Sequence, residues 1–504
     1  MKFLMYDMAR EQSWVGSYWQ RIFPDIRNLG YTDLGLYIEQ RYHFRSIPQH
    51  RPYGGVTPAQ ADEARRLCKK FGVRLSWFTN TLGHCDQLLA NESLRHLAED
   101  PAHPYQLCPS HPDTRPLVLN ILREFAAINP SPILHIGGDE ATQWNMDDIC
   151  RRRKMTGAEF YLDHYRWVIR ETKKLGKRPA MWGDMLLHHP DIAREIDRDV
   201  LIFDWHYDSG SADSIQFFHK LGFEVIPTTA SNEYFSTFLP FHQVEQGIRP
   251  FMTEARELGC AGMCMSCWEM TKGAVFENQW KRLAAGTAIY EDKPLGNFGK
   301  TFFGSAHADE SRLRPLLDES SLDKIHPCLG YAVFRKTFFA DTPWPIYHLF
   351  GQKDAQHGMT QIMNRVRRAR PIVASIRRAA TRRKKSLRFL DLPLDLFEVA
   401  HHRIQTLRLM REVTGRIHPH RLPSARGAHL LKDLVRALKH HIEKSEALHQ
   451  RFAEFNETQG GSIYDVLRLR RHIQMLTTVM GYVRYHAGAY AKGVPVPRHE
   501  LWYV

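Results

Sequence analysis

Over its first 300 residues the chain alternates short, nearly continuous apolar runs with longer segments whose apolar residues recur every three or four positions. Runs of the first kind predict parallel strands buried on both faces, and the second kind predicts amphipathic helices. Eight strand segments stand out: residues 2–9, 32–38, 73–79, 133–140, 178–184, 200–207, 223–230 and 260–268. Between them, Thr57-Pro58 opens a helix in the N-cap plus first-turn-proline manner and Gly72 closes it. A longer helix is predicted over residues 157–176, ending on Gly176 after two lysines. A doubly wound open sheet would show the same alternation. The count of eight, and the polar or aromatic residues ending almost every strand, favour a (β/α)8 TIM barrel with its active site at the strand C-termini.

Past Phe303-Gly304 the alternation stops. Residues 361–385, 392–413, 427–455 and 462–487 carry apolar positions at helical spacing, and Leu430, Leu431, Leu434, Val435, Leu438 and Ile442 form one stripe. Pro371 is expected to kink or divide the first of these helices. The expected organisation is a catalytic barrel over residues 1–304 and an α-helical domain over 305–504. The apolar stripes must be buried against the barrel, each other or a second subunit, which leaves a homodimer open.

Charge sharpens this division. The 504 residues carry a net charge of +14, yet residues 1–300 sum to −2 and residues 301–504 to +16. Such asymmetry argues for two modules with different surfaces. The densest basic run, ATRRKKSLR at residues 380–388, has few aromatics beside it and no nucleic-acid motif. It is read as a solvated helical face, with no nucleic-acid partner expected. No apolar run reaches the roughly 18–20 residues of a membrane span, so no membrane association is expected. The opening MKFLMYDMAREQ is interrupted by Asp7 and Arg10 and does not read as a secretory signal. Eight cysteines in this length are no disulfide framework, which points to a reducing cytoplasm. Cys260, Cys264 and Cys267 include one C-x-x-C without a second pair at suitable spacing, so they read as small apolar fillers. His188-His189 and His401-His402 are equally weak metal signals. No metal or cofactor is expected.

The sharpest local feature is His135-Ile136-Gly137-Gly138-Asp139-Glu140. Two glycines let the backbone bend tightly or approach a ligand. Two neighbouring carboxylates at a strand end point in different directions and cannot do the same job. One held near a cation stays ionised, whereas one desolvated against aromatics is raised in pKa and can act as an acid. The alternative is an acidic loop capping the next helix.

The hexapeptide resembles the H-x-G-G-D-E signature of family 20 glycoside hydrolases, the β-N-acetylhexosaminidases. Further motifs agree. Asp7-Met8-Ala9-Arg10 is similar to the family's D-x-x-R, whose arginine binds sugar hydroxyls, and Leu82-Gly83-His84 to its P-G-H, with Leu for Pro. Trp182, Trp205 and Trp268 match its three pocket tryptophans, and Glu269 follows Trp268 one residue closer than its W-x-E spacing. The resemblance covers about residues 1–300. It implies substrate-assisted hydrolysis, in which the 2-acetamido oxygen of a terminal β-linked N-acetylhexosamine attacks its own anomeric carbon and no enzyme nucleophile is needed. Glu140 is then the acid and later the base, and Asp139 orients the acetamido group and stabilises the oxazolinium charge. Arg10, His84, His135, Trp182, Trp205, Tyr234, Trp268 and Glu269 are the implied substrate-binding residues.

The seventh-strand region reads TTASNEYF, with Tyr234 and Asn232 where the family has Y-x-D. Glu39 and Asp184 are further strand-end carboxylates, read first as structural ion-pair partners and second as supports of the site or of a distal subsite. Two other readings stand beside the leading one. One is a barrel glycosidase with a conventional carboxylate pair, such as Glu140 with Glu269, acting on another sugar. The other is a non-catalytic glycan- or nucleic-acid-binding protein.

Overall fold

A computed structural model describes residues 1–10, 12–207, 210–232, 244–268, 275–318, 325, 353–417, 422–459 and 463–496. Eight parallel strands close into a barrel in sequence order. They are β1 (Lys2–Asp7), β2 (Asp33–Tyr37), β3 (Arg74–Phe78), β4 (Ile133–His135), β5 (Arg178–Trp182), β6 (Leu201–Trp205), β7 (Glu224–Asn232) and β8 (Met263–Cys267). Each expected strand is present, most of them trimmed at the ends, because the polar residues that close the runs turn outward as loops. Closure comes from β1 pairing with both β2 and β8, with Phe3 opposite Asp33 on one side and Cys264 on the other.

Alternation along each strand builds two cores. Phe3, Met5, Phe78, Ile133, Ala180, Leu201, Phe203, Ile226 and Cys264 fill the barrel interior. Their neighbours Leu4, Leu34, Leu36, Leu75, Leu134, Met181, Ile202 and Val225 face outward into the helical layer. Strands buried on both faces must be apolar throughout, which is why the runs were continuous.

The main barrel helices are α1 (Gly16–Asn28), α2 (Pro58–Phe71), α3 (Thr114–Ile128), α4 (Gly157–Lys174), α5 (Ala212–Lys220), α6 (Arg249–Glu257) and α7 (Trp280–Tyr290). Helix α2 starts on a full capping box: Thr57 Oγ1 accepts the Gln60 N–H at 3.3 Å, and Gln60 Oε1 accepts the Thr57 N–H at 2.9 Å. Between β5 and β6 the chain makes only two short helices, Asp184–His188 and Pro190–Ala193.

Beyond the barrel, the described residues form four long helices: α8 (Lys353–Ala379), α9 (Leu392–Arg416), α10 (Ala425–Gln459) and α11 (Ile463–Ala491). The stripe on α10 is covered by α9 on one side and α11 on the other. Pro371 does not divide α8, which runs unbroken past it. Its neighbours are pinned to the next segment, with Arg370 on Asp395 and Glu398 and Arg377 on Asp391. Packing of this kind can outweigh one lost helical hydrogen bond. The buried apolar side chains of the barrel wall and of these helices form one contiguous cluster. Among the described residues, no helix is long and apolar enough to cross a membrane.

The basic run is only partly solvated. Lys384 and Lys385 are exposed. Arg383 instead pairs with Asp25 of α1, donates to the Phe302 carbonyl at 2.6 Å and lies over the Phe302 ring. Arg382 donates to the Thr301 carbonyl at 2.7 Å. Two of its arginines therefore fasten the helical region to the barrel.

Candidate active site

The β4 strand ends at His135, and the chain then makes a tight excursion. Gly137 and Gly138 have φ of +79° and +112°. A side chain at Gly137 would meet Asn80 Oδ1 at 2.5 Å, and one at Gly138 would meet the Tyr161 hydroxyl at 2.9 Å. Both positions require glycine, in conformation and in space. Tyr161 from α4 donates to the Gly138 carbonyl at 2.7 Å, and Thr81 to the Ile136 carbonyl at 2.8 Å. The excursion delivers Asp139 and Glu140 to the mouth of the barrel, Asp139 buried and Glu140 with its side chain about half exposed (53%).

His84, from the loop after β3, meets both. Its Nε2 lies 3.3 Å from Asp139 Oδ2 and 3.1 Å from Glu140 Oε2, while its Nδ1 is 3.7 Å from Glu39 Oε1. Glu39, beyond the end of β2, accepts a hydrogen bond from the Tyr37 hydroxyl at 3.1 Å. Arg10, beyond β1, reaches Asp7 and Glu39, each at 3.5 Å, and its guanidinium lies over the rings of Tyr37 and Trp268. Asp184, beyond β5, accepts the Glu140 main-chain N–H at 3.0 Å and the Trp205 indole N–H at 3.4 Å. Five strand ends thus contribute charged groups to one cluster. Glu39, His84 and Glu140 adopt φ near +50°, in the left-handed region. Side-chain-bearing residues held there cost about 1–3 kcal/mol each and collect at functional sites.

Among the described residues the cluster holds five carboxylates against Arg10 and His84, and burial together with this imbalance sets its proton affinities. Burial pushes Glu39 up to about 7, although Arg10 and His84 pull the other way. Burial and the neighbouring Asp139 likewise raise Asp184 to about 7. Burial raises Asp139 as well, against the pull of His84. Burial disfavours a charged imidazole at His84, but Asp139, Glu140 and Glu39 outweigh it and lift its pKa to about 9. The hydrogen bond from His84 lowers Glu140. This is the reverse of the assignment the family resemblance suggests for the pair: in the open site the buried Asp139 is raised, and Glu140 is held as the anion by His84.

The remaining expected residues fall into four groups. Trp268 packs on Tyr37 with ring centroids 4.9 Å apart and lies 5.8 Å from Trp182, which is fully buried in the barrel core and, like His135, not open to a substrate. Trp205 stacks on Tyr207 at 5.2 Å and, with His84, Tyr105, Glu140 and Asp184, lines a groove of about 650 Å³. His135 is fully buried, stacked on Phe78 at 4.4 Å, and accepts the Gly137 N–H on Nδ1 at 3.2 Å. This ring supports the loop from inside the barrel and is not open to a substrate, which corrects its expected binding role. Burial holds it neutral. Tyr234 and Glu269 lie outside the described residues, as does the side chain of Asn232.

Sequence reasoning missed Tyr37, Asn80 and Tyr105. Tyr37 and Asn80 are bonded to each other at 3.1 Å, and Tyr105 packs edge-on to His84 at 5.0 Å. Tyr37, two residues before Glu39 at a strand end, could have been found, whereas Tyr105 lies in a long loop with no motif around it. Cys264 and Cys267 are buried in β8 as expected, and Cys260 precedes it half-buried. Among the described residues, His96, His111 and Asp113, and separately Glu99, Cys108 and Cys150, are close enough to share an ion. Glu99 is already engaged by the Met146 N–H at 2.9 Å and the Cys150 thiol at 3.2 Å. Neither group lies in the carboxylate cluster.

Residues 78–261 match the family model for the catalytic domain of glycosyl hydrolase family 20. Hexosaminidase D of Homo sapiens is 26% identical over 184 residues, covering 35% of this chain and 38% of that protein. Hexosaminidase D of Bos taurus is 24% identical over 225 residues, covering 41% and 64%. The chain therefore spans less than two thirds of the length of either relative. Among solved structures, a β-N-acetylhexosaminidase from Bacteroides fragilis aligns with a TM-score of 0.45 at 16% identity, over 56% of this chain and 65% of that one. One from Streptomyces coelicolor aligns with a TM-score of 0.44 at 17% identity, over 57% and 63%. In the sequence of residues 78–261 this chain resembles the family 20 glycoside hydrolases.

Proposed function

We propose that the chain is an exo-acting, retaining β-N-acetylhexosaminidase that removes terminal N-acetylglucosamine or N-acetylgalactosamine by substrate-assisted catalysis. The observation that carries this reading is the sharing of one imidazole nitrogen by Asp139 and Glu140. Both carboxylates therefore approach from one side of the cleft. A conventional pair flanks the scissile bond from opposite faces, one as acid and one as nucleophile or base. Two groups on one side suit a reaction whose nucleophile is the substrate's own acetamido oxygen. Intramolecular attack of that kind gains up to roughly 7–11 kcal/mol from proximity.

In this mechanism the substrate's terminal sugar lies over Trp268, which the buried Tyr37 ring backs, with Arg10 on its hydroxyls. Asp139 accepts the acetamido N–H, which aligns the carbonyl oxygen with the anomeric carbon and supports the cationic ring that forms. Glu140 must be protonated to release the leaving group. His84 carries the proton at the required place, and binding a neutral sugar excludes water and weakens the case for an ionised Glu140 beside a charged His84. Glu39 behind Nδ1 keeps the ring oriented. After departure of the aglycone, Glu140 takes a proton from the water that opens the oxazolinium.

We also propose that residues 1–304 perform the chemistry and that residues 305–504 support them. The fastening of Arg382 and Arg383 to the barrel favours this division. The seven described cysteines are free thiols, which fits the reducing cytoplasm expected for the chain. The test is hydrolysis of paired aryl β-N-acetylglucosaminide and β-N-acetylgalactosaminide, with the aryl β-glucoside as control. A stable thiazoline analogue of the cyclised intermediate should inhibit tightly and competitively. Equal turnover of the plain glucoside, or indifference to the thiazoline, overturns the mechanism.

A further inference from the structure

Glu140 has to be held in a backbone conformation it would not choose. Its φ is +48°, and it follows two glycines that are also left-handed. A strained residue of this kind stays in place only where its surroundings over-determine it. The Gly138 carbonyl is fixed by Tyr161, and Tyr105 reaches the Glu140 carbonyl at 3.4 Å. What fixes the Glu140 N–H is Asp184 Oδ2, at 3.0 Å. The other oxygen of the same carboxylate accepts from the Trp205 indole at 3.4 Å. Asp184 opens the short helix that follows β5, and Trp205 ends β6.

We propose that Asp184 is a positioning residue for the acid: its carboxylate ties the Glu140 main chain to the Trp205 wall of the groove and so aims the Glu140 carboxyl at the glycosidic oxygen. This rests on the reading of Glu140 as the acid. The placement has a cost that a purely structural ion pair would avoid. Asp184 is close enough to Asp139 and Glu140 for both negative charges to oppose its own ionisation. A hydrogen bond from a main-chain N–H to a carboxylate is among the stronger neutral-to-charged contacts, and no amide or hydroxyl side chain would grip that N–H as firmly. Because the carboxylate grips two elements at once, a shift of the groove wall is transmitted to the acid.

The experiment compares Asp184→Ala and Asp184→Asn with the parent on N-acetylhexosaminides whose leaving groups run from nitrophenol to an alkyl alcohol. It is repeated in a Glu140→Gln background. A misplaced acid loses part of the roughly 10²–10⁴-fold that proton donation supplies. Asp184→Ala should therefore lower kcat about 10²-fold on the alkyl glycoside, about tenfold or less on the nitrophenyl one, and leave KM within about threefold. In the Glu140→Gln background the same change should cost under about threefold, since the acid it positions is gone. Asp184→Asn keeps the volume and one acceptor oxygen, so it should fall between parent and alanine variant, and it carries the test if the alanine variant does not fold. Loss that is equal across leaving groups, or that repeats in full without Glu140, overturns the proposal. So does a rise in KM with kcat unchanged, which would make Asp184 a substrate ligand. A parent protein that cleaves no N-acetylhexosaminide defeats the reading of Glu140 itself, a failure separate from these.

Discussion

At the barrel mouth His84 lies among Asp139, Glu140 and Glu39, and its pKa rises to about 9. In the helical region His441 of α10 and His472 of α11 face each other, Nε2 to Nε2 at 3.4 Å, with Arg403 of α9 beside them. Burial and then Arg403 lower His472 to about 3, and burial lowers His441 well below its ordinary value, helped by His472 and Arg403. The same side chain is thus kept charged in one region and neutral in the other. The difference is set by neighbours: acidic groups gathered at strand ends in the first, basic groups around a buried helix seam in the second. The function proposed above gives the chemistry to the region that concentrates acidic groups around a proton, and support to the region that buries its imidazoles as neutral packing groups.

The largest effect is expected at the acid. Glu140→Gln should fold normally and bind the thiazoline analogue, yet lose about 10²–10⁴-fold in turnover of glycosides with poor leaving groups. Nitrophenyl substrates should suffer less. Turnover of a disaccharide at the parental rate would remove Glu140 from the mechanism and erase the functional half of the comparison.

A second consequence is the pH profile of kcat/KM. Its alkaline limb should lie near pH 9, where His84 loses its proton. Replacing His84 by Phe should abolish that limb. In stability terms, a base raised from its ordinary value to about 9 contributes fully below about pH 6.5 and loses the contribution as pH rises through 9. Titrating the melting temperature from pH 7 to 10 should show this loss in the parent and a smaller one in His84→Phe.

The helical seam should respond to the opposite change. Bases with depressed folded pKa values contribute stability above about pH 6.5 and lose it as pH falls. Each pH unit below that point costs about 1.4 kcal/mol per fully buried histidine, until its folded pKa is reached. Hydrogen exchange at pH 5 should therefore show α9, α10 and α11 opening before the barrel strands. A His441→Leu, His472→Leu double variant should lose much of this acid sensitivity. Barrel strands exchanging first at pH 5 would show that the seam is not the weak point.

Much of this was legible in the chain, and the reasons are local. Strands buried on both faces announce themselves as continuous apolar runs, and β1 to β8 fall inside the segments read from those runs apart from the last two residues of β7. The His135–Glu140 motif was legible because its glycines have no alternative. The direction of its proton affinities was not, because it depends on His84, 56 residues before Glu140 in the chain. Glu39 and Asp184 could be seen as strand-end carboxylates but not weighed, since their roles come from what closure of the barrel brings beside them. The undivided α8 has the same origin: proline rules are local, whereas the pins at Arg370 and Arg377 are tertiary.

The smallest effects concern the basic run, where fastening and solvated charge lie side by side. Arg383 pairs with Asp25 of α1, bonds the Phe302 carbonyl and covers the Phe302 ring, so three contacts join the two regions through one side chain. Arg383→Ala should lower the free energy of unfolding by roughly 1.5–3 kcal/mol, the usual worth of hydrogen bonds to charged groups. Turnover at a temperature where the variant stays folded should not change. Lys384→Glu with Lys385→Glu reverses two exposed charges and should shift stability by no more than about 0.5 kcal/mol. On a neutral aryl glycoside it should leave kcat/KM as it was. On a sulfated substrate it should slow association at low salt only, because the Debye length falls from about 30 Å at 0.01 M to about 10 Å at 0.1 M. The check is kcat/KM for neutral and sulfated substrates at both salt levels, beside melting curves for each variant. If the lysine pair lowered neutral turnover in a folded protein while Arg383→Ala left stability untouched, the helical region would be shaping the site through its charge, and the division between a chemical and a supporting region would fail.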